Sequence, residues 1–420
     1  MFFRQVFEPK LAQYSYIVGC QRTGEALVID PMRDIDRYEA IAAEEELRIT
    51  AVTETHIHAD FLSGAREYAA RGVQVYLSDE GDADWKYRWV QDDYDVTLVK
   101  GGDSFQIGNI KIEVVHTPGH TPEHIAFMII DEGGGASEPM GIASGDFVFV
   151  GDLGRPDLLE SAAGVAGAME PSARRLFHSA TQFLELPDYL QVWPGHGAGS
   201  ACGKALGAVP ESTVGYERRF SPALDFVQRG EDAFVEFILE GQPEPPMYFA
   251  RMKKWNKEGA PILGRIPSPA ELDETGLDAA VADGAVVLDT RVDRSEFMSS
   301  HLPGSLYAPL DKTLPTIAGS YIEPDEPIVL VANAEEVEEA VLDLVRIGLD
   351  GVVGYVTPTT LARMDRLVST PVAGADDLER LRSEEGSLPL DVRRRTEYDP
   401  AHVPGALNVA HTRLRVRKDE

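Results

Sequence analysis

The stretch THIHADFLSG at residues 55–64 decides how this chain is interpreted, because it places two histidines and an aspartate at alternate positions. His56, His58 and Asp60 follow an apolar run that is typical of a buried strand. Polar side chains at strand ends are often functional, since the sheet holds their loops in place. The next position is Phe61, which offers no lone pair to a metal ion.

Apolar runs alternate with amphipathic stretches over the first part of the chain, which predicts an α/β fold. Several of the runs end in Gly, His or Asp. We expect helices at 34–47 and 63–72. The expected strands are 14–20, 26–30, 49–55, 73–78, 111–120, 125–131, 141–146 and 190–196.

Four of these strand ends carry candidate metal ligands. Imidazole nitrogens and carboxylate oxygens together suit zinc, iron or manganese. A single histidine in such a loop is more often a structural hydrogen bonder, but four segments in this order predict a metal site. The segments are THIHAD (55–60), TPGHT (117–121), SGD (144–146) and PGHG (194–197).

The order HxHxD, PGHT, SGD, PGHG resembles the metallo-β-lactamase superfamily, whose fold is an αββα sandwich with metals at one sheet edge. SGDFVFVGDLGRPDL (144–158) and HGAGSACGK (196–204) are similar to its persulfide dioxygenase branch. The resemblance implies one Fe(II) per chain, held by His56, His120 and Asp146. Two histidines and one carboxylate leave positions open on iron, which a sulfur substrate and O2 both require.

Further candidates for catalysis follow from the same resemblance. Phe61 takes the place of a histidine that would help to bind a second metal, so the second site is short of a ligand. His58, Asp60 and His196 then orient ligands, bind water or donate protons; the alternative is a retained scaffold. Cys202, in a Gly-rich turn after His196, contacts the persulfide or is a small buried residue.

Three other residues near these motifs have simpler interpretations. Arg155 lies in GRPDL and is a substrate-binding candidate, because a guanidinium pairs well with a carboxylate of a thiol cofactor. Its alternative is a loop-stabilising pair with Asp152 or Asp157. His116 and His124 flank the PGHT loop and are expected to be structural. Cys20, inside an apolar strand, is expected to be inert core.

An internal repeat indicates a duplicated α/β unit in the last third of the chain. AVVLDTRVDRSEFMSSHLPGSLYAPL (285–310) matches LPLDVRRRTEYDPAHVPGALNVA (388–410). Both copies resemble rhodanese domains, but the loop after IVLV (328–331) has no cysteine, and the second copy is partial. We therefore expect a catalytic domain with a helical extension at 1–258, a linker at 259–269, a rhodanese-like domain at 270–368 and a truncated second unit at 369–420.

Composition restricts the partners and the cellular location. Hydrophobic residues make up 43% of the chain, which is ordinary for a globular protein, and the net charge is −31. Such a charge disfavours nucleic acid and anionic membranes, and no apolar run is long enough to cross a bilayer. Two cysteines and the absence of a signal-peptide pattern predict a cytoplasmic protein. We also expect a homo-oligomer, either a dimer or a tetramer.

The resulting hypothesis is an Fe(II)-dependent persulfide dioxygenase, which converts a low-molecular-weight persulfide and O2 to sulfite and thiol. One alternative is a glyoxalase II-like thioester hydrolase with two metal ions, which Phe61 disfavours. Another is a non-catalytic sulfur carrier or scaffold. The metal content separates the first two functions, and turnover of a persulfide under air separates an enzyme from a scaffold.

Overall fold

The computed structural model describes residues 1–91, 93–161, 167–384 and 386–418. The chain divides into two compact units. The first comprises Met1–Pro245 and Phe249–Gly264, and the second comprises Pro246–Tyr248 and Arg265–Glu420. Within the described residues, no helix combines the length and the apolar character that crossing a bilayer requires.

The first unit contains two mixed β-sheets. One sheet consists of β1 (Phe2–Glu8), β2 (Gln13–Cys20), β3 (Glu25–Ile29), β4 (Arg48–Thr53), β5 (Gln74–Ser78) and β6 (Val96–Val99), in that order. Its first three strands are antiparallel and the others continue in parallel. The other sheet consists of β7 (Ser104–Ile107), β8 (Ile110–His116), β9 (Ile125–Ile130), β10 (Gly141–Gly145), β11 (Gln191–Pro194) and β12 (Ser212–Thr213), again in chain order.

Helices cover the outer faces of both sheets and complete an αββα sandwich. The helices of this unit are α1 (Asp36–Glu44), α2 (Ala65–Ala70), α3 (Leu158–Ser161), α4 (Met169–Phe183), α5 (Val214–Phe220), α6 (Pro222–Arg229), α7 (Glu231–Leu239) and α8 (Phe249–Glu258). One buried cluster lies between the sheets, a second joins the first sheet to α1 and α2, and a third joins the other sheet to α4–α7. The mixed α/β sandwich expected for this part of the chain is therefore confirmed.

Each predicted strand of this unit overlaps an observed strand, but the sequence analysis did not predict β1 or α4. The β1 segment FFRQVFE lacks a strict alternation of apolar and polar residues, but it pairs with β2 along its whole length. The α4 sequence includes Pro171 and several weak helix formers, which obscure its helical pattern. Its buried face, which includes Leu176, Ala180 and Phe183, shows that tertiary packing stabilises the helix.

The segment after α8 is hydrogen bonded to the first unit. Glu67 of α2 accepts from the amides of Leu263 and Gly264, at 2.6 and 3.1 Å. Arg33 donates to the carbonyl of Pro261 at 2.8 Å. The first half of the predicted linker is therefore bonded to the surface of the sandwich.

The second unit contains a parallel sheet and a separate parallel pair. The sheet has the order β14-β13-β15-β16 and the pair is β17-β18, with β13 (Val286–Asp289), β14 (Leu306–Tyr307), β15 (Ile328–Val331), β16 (Val352–Val356), β17 (Leu390–Asp391) and β18 (Leu407–Asn408). Its helices are α9 (Glu274–Ala282), α10 (Arg294–Ser299), α11 (Leu314–Tyr321), α12 (Val337–Arg346), α13 (Pro358–Leu361), α14 (Leu378–Arg382), α15 (Arg395–Tyr398) and α16 (Leu414–Arg417).

The two copies of the repeat make the same local contacts. In the first copy, Arg291 pairs with Asp289 at 2.7 Å. His301 stacks on Phe297 with their ring centroids 4.3 Å apart. The second copy repeats these contacts with Arg393, Asp391, His402 and Tyr398. The parallel pairs β13-β14 and β17-β18 are thus equivalent, which supports a duplicated unit.

Candidate metal centre

Three predicted ligands meet at one edge of the sandwich. His56 follows β4, His120 follows β8, and Asp146 follows β10. The Asp146 Oδ2 atom lies 3.9 Å from His56 Nε2 and 3.6 Å from His120 Nε2. All three side chains are buried, and one donor atom of each lies within 4.8 Å of the other two.

Hydrogen bonds on the far side of each ring orient the two histidines. His56 Nδ1 lies 3.0 Å from the Thr55 hydroxyl, and His120 Nδ1 lies 3.0 Å from the carbonyl of Arg155. His120 therefore donates through Nδ1 and keeps the Nε2 lone pair free. Such outer contacts are typical of metal-binding imidazoles, because they fix the tautomer and the ring plane.

The buried polar atoms of this site fit a cation. Both Asp146 carboxylate oxygens lack a hydrogen-bond partner among the described residues, although the side chain is 1% exposed. A buried carboxylate without partners is costly. Burial and the neighbouring imidazoles hold the pKa of His56 well below its usual value, and burial also lowers the pKa of His120. Neutral imidazoles beside a buried carboxylate that accepts no hydrogen bond suit a divalent metal ion.

A second group of donors lies on the other side of Asp146. His196 Nε2 is 3.5 Å from Asp146 Oδ1 and 3.2 Å from Asp60 Oδ2. Cys202 joins them, so Asp60, His196 and Cys202 could also hold a metal ion. Phe61 supplies no donor here, but the turn that contains Cys202 returns to the site and brings its thiol within 4.8 Å of donor atoms of Asp60 and His196. That this side binds no second metal ion stays a prediction.

The second group also holds protons. Burial raises the pKa of the Cys202 thiol to about 12, despite the opposing effect of His196. The carboxylates of Asp146 and Asp60 outweigh the effect of burial and raise the pKa of His196 well above its usual value. His196 Nδ1 lies 3.2 Å from the carbonyl of Ala12. Without a metal ion, the group is therefore a protonated imidazole between two carboxylates, beside a neutral thiol.

His58 belongs to neither group of donors. Its Nε2 atom lies 3.0 Å from Asp30 Oδ1, and its ring packs on Phe61 with centroids 4.4 Å apart. Although burial opposes it, the carboxylate of Asp30 raises the pKa of His58 to about 9. Phe61 is itself fully buried. Phe61 therefore acts as an apolar wall that holds the His58 ring against Asp30.

Two glycines allow the ligand loops to approach one another. Gly145 has φ +52°, and a Cβ atom there would lie 2.5 Å from the Thr55 hydroxyl oxygen. A Cβ atom on Gly195 would lie 2.6 Å from Asp146 Oδ1. Neither position tolerates a side chain without movement of the site. The glycines of the SGD and PGHG motifs are thus explained by close backbone packing.

The structure favours the loop-stabilising interpretation of Arg155. The guanidinium is 1% exposed and binds Asp157 through two bonds of 3.0 and 2.7 Å. Its other bonds go to the carbonyls of Ala201 and Pro243. Arg155 contributes to the metal site through its backbone carbonyl, which accepts from His120. The guanidinium faces a carboxylate of its own loop.

The sequence analysis missed Asp30, which orients the site, and gave His124 only a general structural role. Asp30, at the end of β3, accepts from the amide of Thr55 at 2.7 Å and from its hydroxyl at 2.9 Å. Asp30 has φ +52°, an unusual value for a non-glycine residue. The predicted strand 26–30 did end in this aspartate, which was the available signal. His124 Nε2 accepts from the amide of Asp146 at 3.1 Å and so helps to orient this ligand.

Comparison with known proteins agrees with this geometry. The model of the metallo-beta-lactamase superfamily matches residues 9–196. A crystal structure described as metallo-beta-lactamase from Staphylococcus aureus subsp. aureus COL is 40% identical, with a TM-score of 0.75. The match covers 85% of this chain and 98% of that one.

Two curated relatives each match about half of the chain. Persulfide dioxygenase ETHE1, mitochondrial, from Bos taurus is 29% identical over 227 residues, which are 53% of this chain and 75% of that protein. Hydroxyacylglutathione hydrolase from Nitrosococcus oceani is 29% identical over 185 residues, which are 44% of this chain and 61% of that protein.

Proposed function

Because the chain belongs to the metallo-β-lactamase superfamily, we propose that it is an Fe(II)-dependent persulfide dioxygenase. The substrate is a low-molecular-weight persulfide such as glutathione persulfide. The balanced reaction is R–S–SH + O2 + H2O → R–SH + sulfite + 2 H⁺. The observation that carries this proposal is the buried group of His56, His120 and Asp146, a donor set that suits non-heme iron oxygenases. The likeness to a mitochondrial persulfide dioxygenase supports it.

The residues of the chain have separate roles in this proposal. His56, His120 and Asp146 would hold one iron ion, which supplies the redox chemistry with O2 when bound. Thr55 and the carbonyl of Arg155 keep the two imidazoles oriented. The proton on His196 Nε2 lies beside Asp60 and Asp146 and is available to the departing thiolate. The neutral Cys202 thiol next to it can hydrogen bond to substrate sulfur, and burial of the site limits access by water.

Oxygen uptake with glutathione persulfide tests this function. The purified chain is expected to consume O2, release sulfite and contain one iron per chain. Asp146→Ala should lose both iron and turnover, because it removes the carboxylate that faces both histidines. Asp225→Asn, at an exposed carboxylate of α6 in the same unit, is the control and should behave as wild type. Retention of iron and activity by Asp146→Ala would contradict the assignment.

A thioester hydrolase is the second candidate. The group of Asp60, His196 and Cys202 favours it, because a second metal ion beside the first could activate water. The likeness to hydroxyacylglutathione hydrolase points the same way. Hydrolysis of a hydroxyacylglutathione thioester by a form with two metal ions, without O2 uptake, would establish this function in place of the dioxygenase.

We further propose that the second unit is rhodanese-like, with a domain at 270–368, a partial unit at 369–420 and a linker at 259–269 that follows the catalytic domain of 1–258. The repeated Arg–Asp pairs and the parallel sheet support this proposal. Homo-oligomerisation and a cytoplasmic location remain predictions. Gel filtration with light scattering checks the first, and fractionation of cells checks the second.

A further inference from the structure

Asn256 of α8 is bonded to the loop that contains the HxHxD motif. Its Nδ2 atom donates to the carbonyls of His58 at 2.8 Å and Phe61 at 2.7 Å. Its Oδ1 atom accepts from the amide of Ser63 at 2.9 Å. The side chain is buried, so its two donor hydrogens and its acceptor all serve this loop. The bonded backbone groups lie on both sides of Asp60.

The helix that carries Asn256 is itself held in place. Trp89 donates through its indole nitrogen to the Asn256 carbonyl at 3.1 Å, and the Arg88 amide donates to the carbonyl of Lys257 at 2.7 Å. Phe249 and Met252 are buried on the same helix. Asn256 is therefore a fixed support rather than a side chain that follows the loop.

The loop needs this support because it carries the buried carboxylate of Asp60. Both Asp60 carboxylate oxygens are buried and lack a hydrogen-bond partner among the described residues, and the nearest cationic atom is His196 Nε2 at 3.2 Å. Asp60 has a lowered pKa, because His196 and His58 outweigh its burial. A shift of the loop backbone would change the distance between Asp60 and His196 directly.

We propose that Asn256 is a positioning residue of the active site, which holds the His58–Ser63 loop so that Asp60 stays beside His196. The inference rests on the proposed function, since it assigns Asp60 and His196 to the reaction. Among the described residues, no hydrogen bond joins Asn256 to His56, His120 or Asp146. We therefore expect Asn256 to affect the rate of the reaction and to leave the binding of iron unchanged.

A double-mutant cycle tests whether Asn256 acts through Asp60. The proteins are wild type, Asn256→Ala, Asp60→Asn and the double variant, with Lys254→Ala as the control from the exposed side of α8. Asn256→Ala is expected to lower kcat with glutathione persulfide by about 10–100-fold, as loss of a supporting contact does. KM and iron per chain should stay at the wild-type values. In the Asp60→Asn background, Asn256→Ala should lower kcat by less than about 3-fold.

Two results would overturn the inference. One is an equal loss of kcat from Asn256→Ala in both backgrounds, which would mean that the residue acts independently of Asp60. The other is a loss of iron in proportion to kcat, which would mean a general structural role. If Asn256→Ala does not fold, the cycle is run with Asn256→Gln, which keeps the amide and lengthens the side chain by one methylene.

The test also separates this inference from the proposed function. Absence of O2 uptake by the wild type would refute the dioxygenase. The same proteins are then compared by the rise in Tm that Zn(II) produces, since both donor groups suit zinc. If the two substitutions reduce this rise in Tm non-additively in the double variant, positioning of Asp60 by Asn256 is still supported. Additive reductions would refute it.

Discussion

The carboxylate of Asp146 divides the site into two halves with different protonation. One oxygen faces His56 and His120, which burial keeps neutral. The other faces His196, which neighbouring carboxylates keep protonated. One half is thus suited to bind a cation and the other to supply a proton. A metal ion bound by Asp60, His196 and Cys202 would displace that proton. The two candidate functions therefore differ in whether a proton or a metal ion lies between these residues.

Cys202 separates these possibilities. Its thiol is protonated, because burial raises its pKa to about 12. In the proposed dioxygenase, the Cys202 thiol would hydrogen bond to substrate sulfur. Cys202→Ser should then lower turnover by roughly 10-fold or more and leave iron content unchanged. Metal analysis and O2 uptake on the same sample measure both quantities. Loss of one of two metal ions in this variant would instead identify Cys202 as a ligand.

Cys20 is expected to react at lower pH than an ordinary thiol. It is buried as expected, and burial raises the pKa of a thiol. Hydrogen bonds from Thr23, Asn109 and Arg22 outweigh that effect and lower the pKa from 9.0 to about 7. The Asn109 amide lies 3.3 Å from the sulfur. The thiolate fraction therefore rises as pH increases through about 7.

Alkylation measured by peptide mass spectrometry between pH 6 and 10 checks this expectation for Cys20. The rate should reach half its maximum near pH 7, whereas the Cys202 peptide should stay unmodified over most of that range. Thr23→Val removes the side-chain hydroxyl that hydrogen bonds to the sulfur and should move the midpoint upward. A midpoint near 9 in the wild type would show that the hydrogen bonds do not stabilise the thiolate.

At the scale of elements, the loop between β10 and α3 depends on one buried ion pair. Arg155 and Asp157 are joined by two hydrogen bonds, and both side chains are buried. Arg155→Ala leaves Asp157 without its partner and should lower the free energy of unfolding by about 3–5 kcal/mol. Urea denaturation of the iron-free protein measures this change.

The double variant Arg155→Ala/Asp157→Ala is the control for this prediction. It should recover part of the lost stability, because no buried charge is left alone. Lys204→Ala, at a neighbouring cation of the same unit, provides a comparison for the loss of a positive charge. An increase in KM for the persulfide with unchanged stability would restore the substrate-binding role of Arg155.

The elements that could be predicted from sequence share a local signal. A short apolar run followed by His, Asp or Gly marked each ligand-bearing strand end, so the segments that contain His56, His120 and Asp146 were found. The resemblance to a known family then implied that these three residues form one set. Contacts between distant segments carry no such signal. Asn256 reaches His58 across 198 positions, and Cys202 returns to Asp60 through a turn whose path depends on packing. The second donor group could therefore not be derived from spacing.

At the scale of the whole molecule, the second unit should have no sulfurtransferase activity. The chain has no cysteine after Cys202 that could carry sulfur. After β15, Glu336 accepts from the amide of Asn333 at 3.1 Å, so this carboxylate uses a backbone donor that an anion would need. Glu335 adds further negative charge at the same helix start.

The full-length chain incubated with thiosulfate and cyanide measures this activity as thiocyanate. We expect formation no faster than in a sample without protein. Substitution of Ala332 by cysteine, with Glu335 and Glu336 changed to glutamine, is the informative variant, because it restores a nucleophile and removes the opposing charge. Thiocyanate formation by the wild type would reveal sulfur chemistry outside the residues described above.

The support of the site loop by Asn256 also imposes an order on synthesis. Ribosomes add about 5–20 residues per second, so roughly 10–40 s separate the addition of His58 from that of Asn256. During this interval the nascent chain already exposes His56, His58 and Asp60, but the backbone of their loop lacks its buried amide partner. The first metal-binding segment to be made is therefore among the last to reach its final geometry. A metal ion that arrives before Asn256 is made meets His58 and Asp60 on a mobile loop, whereas one that arrives after release of the chain meets them in place.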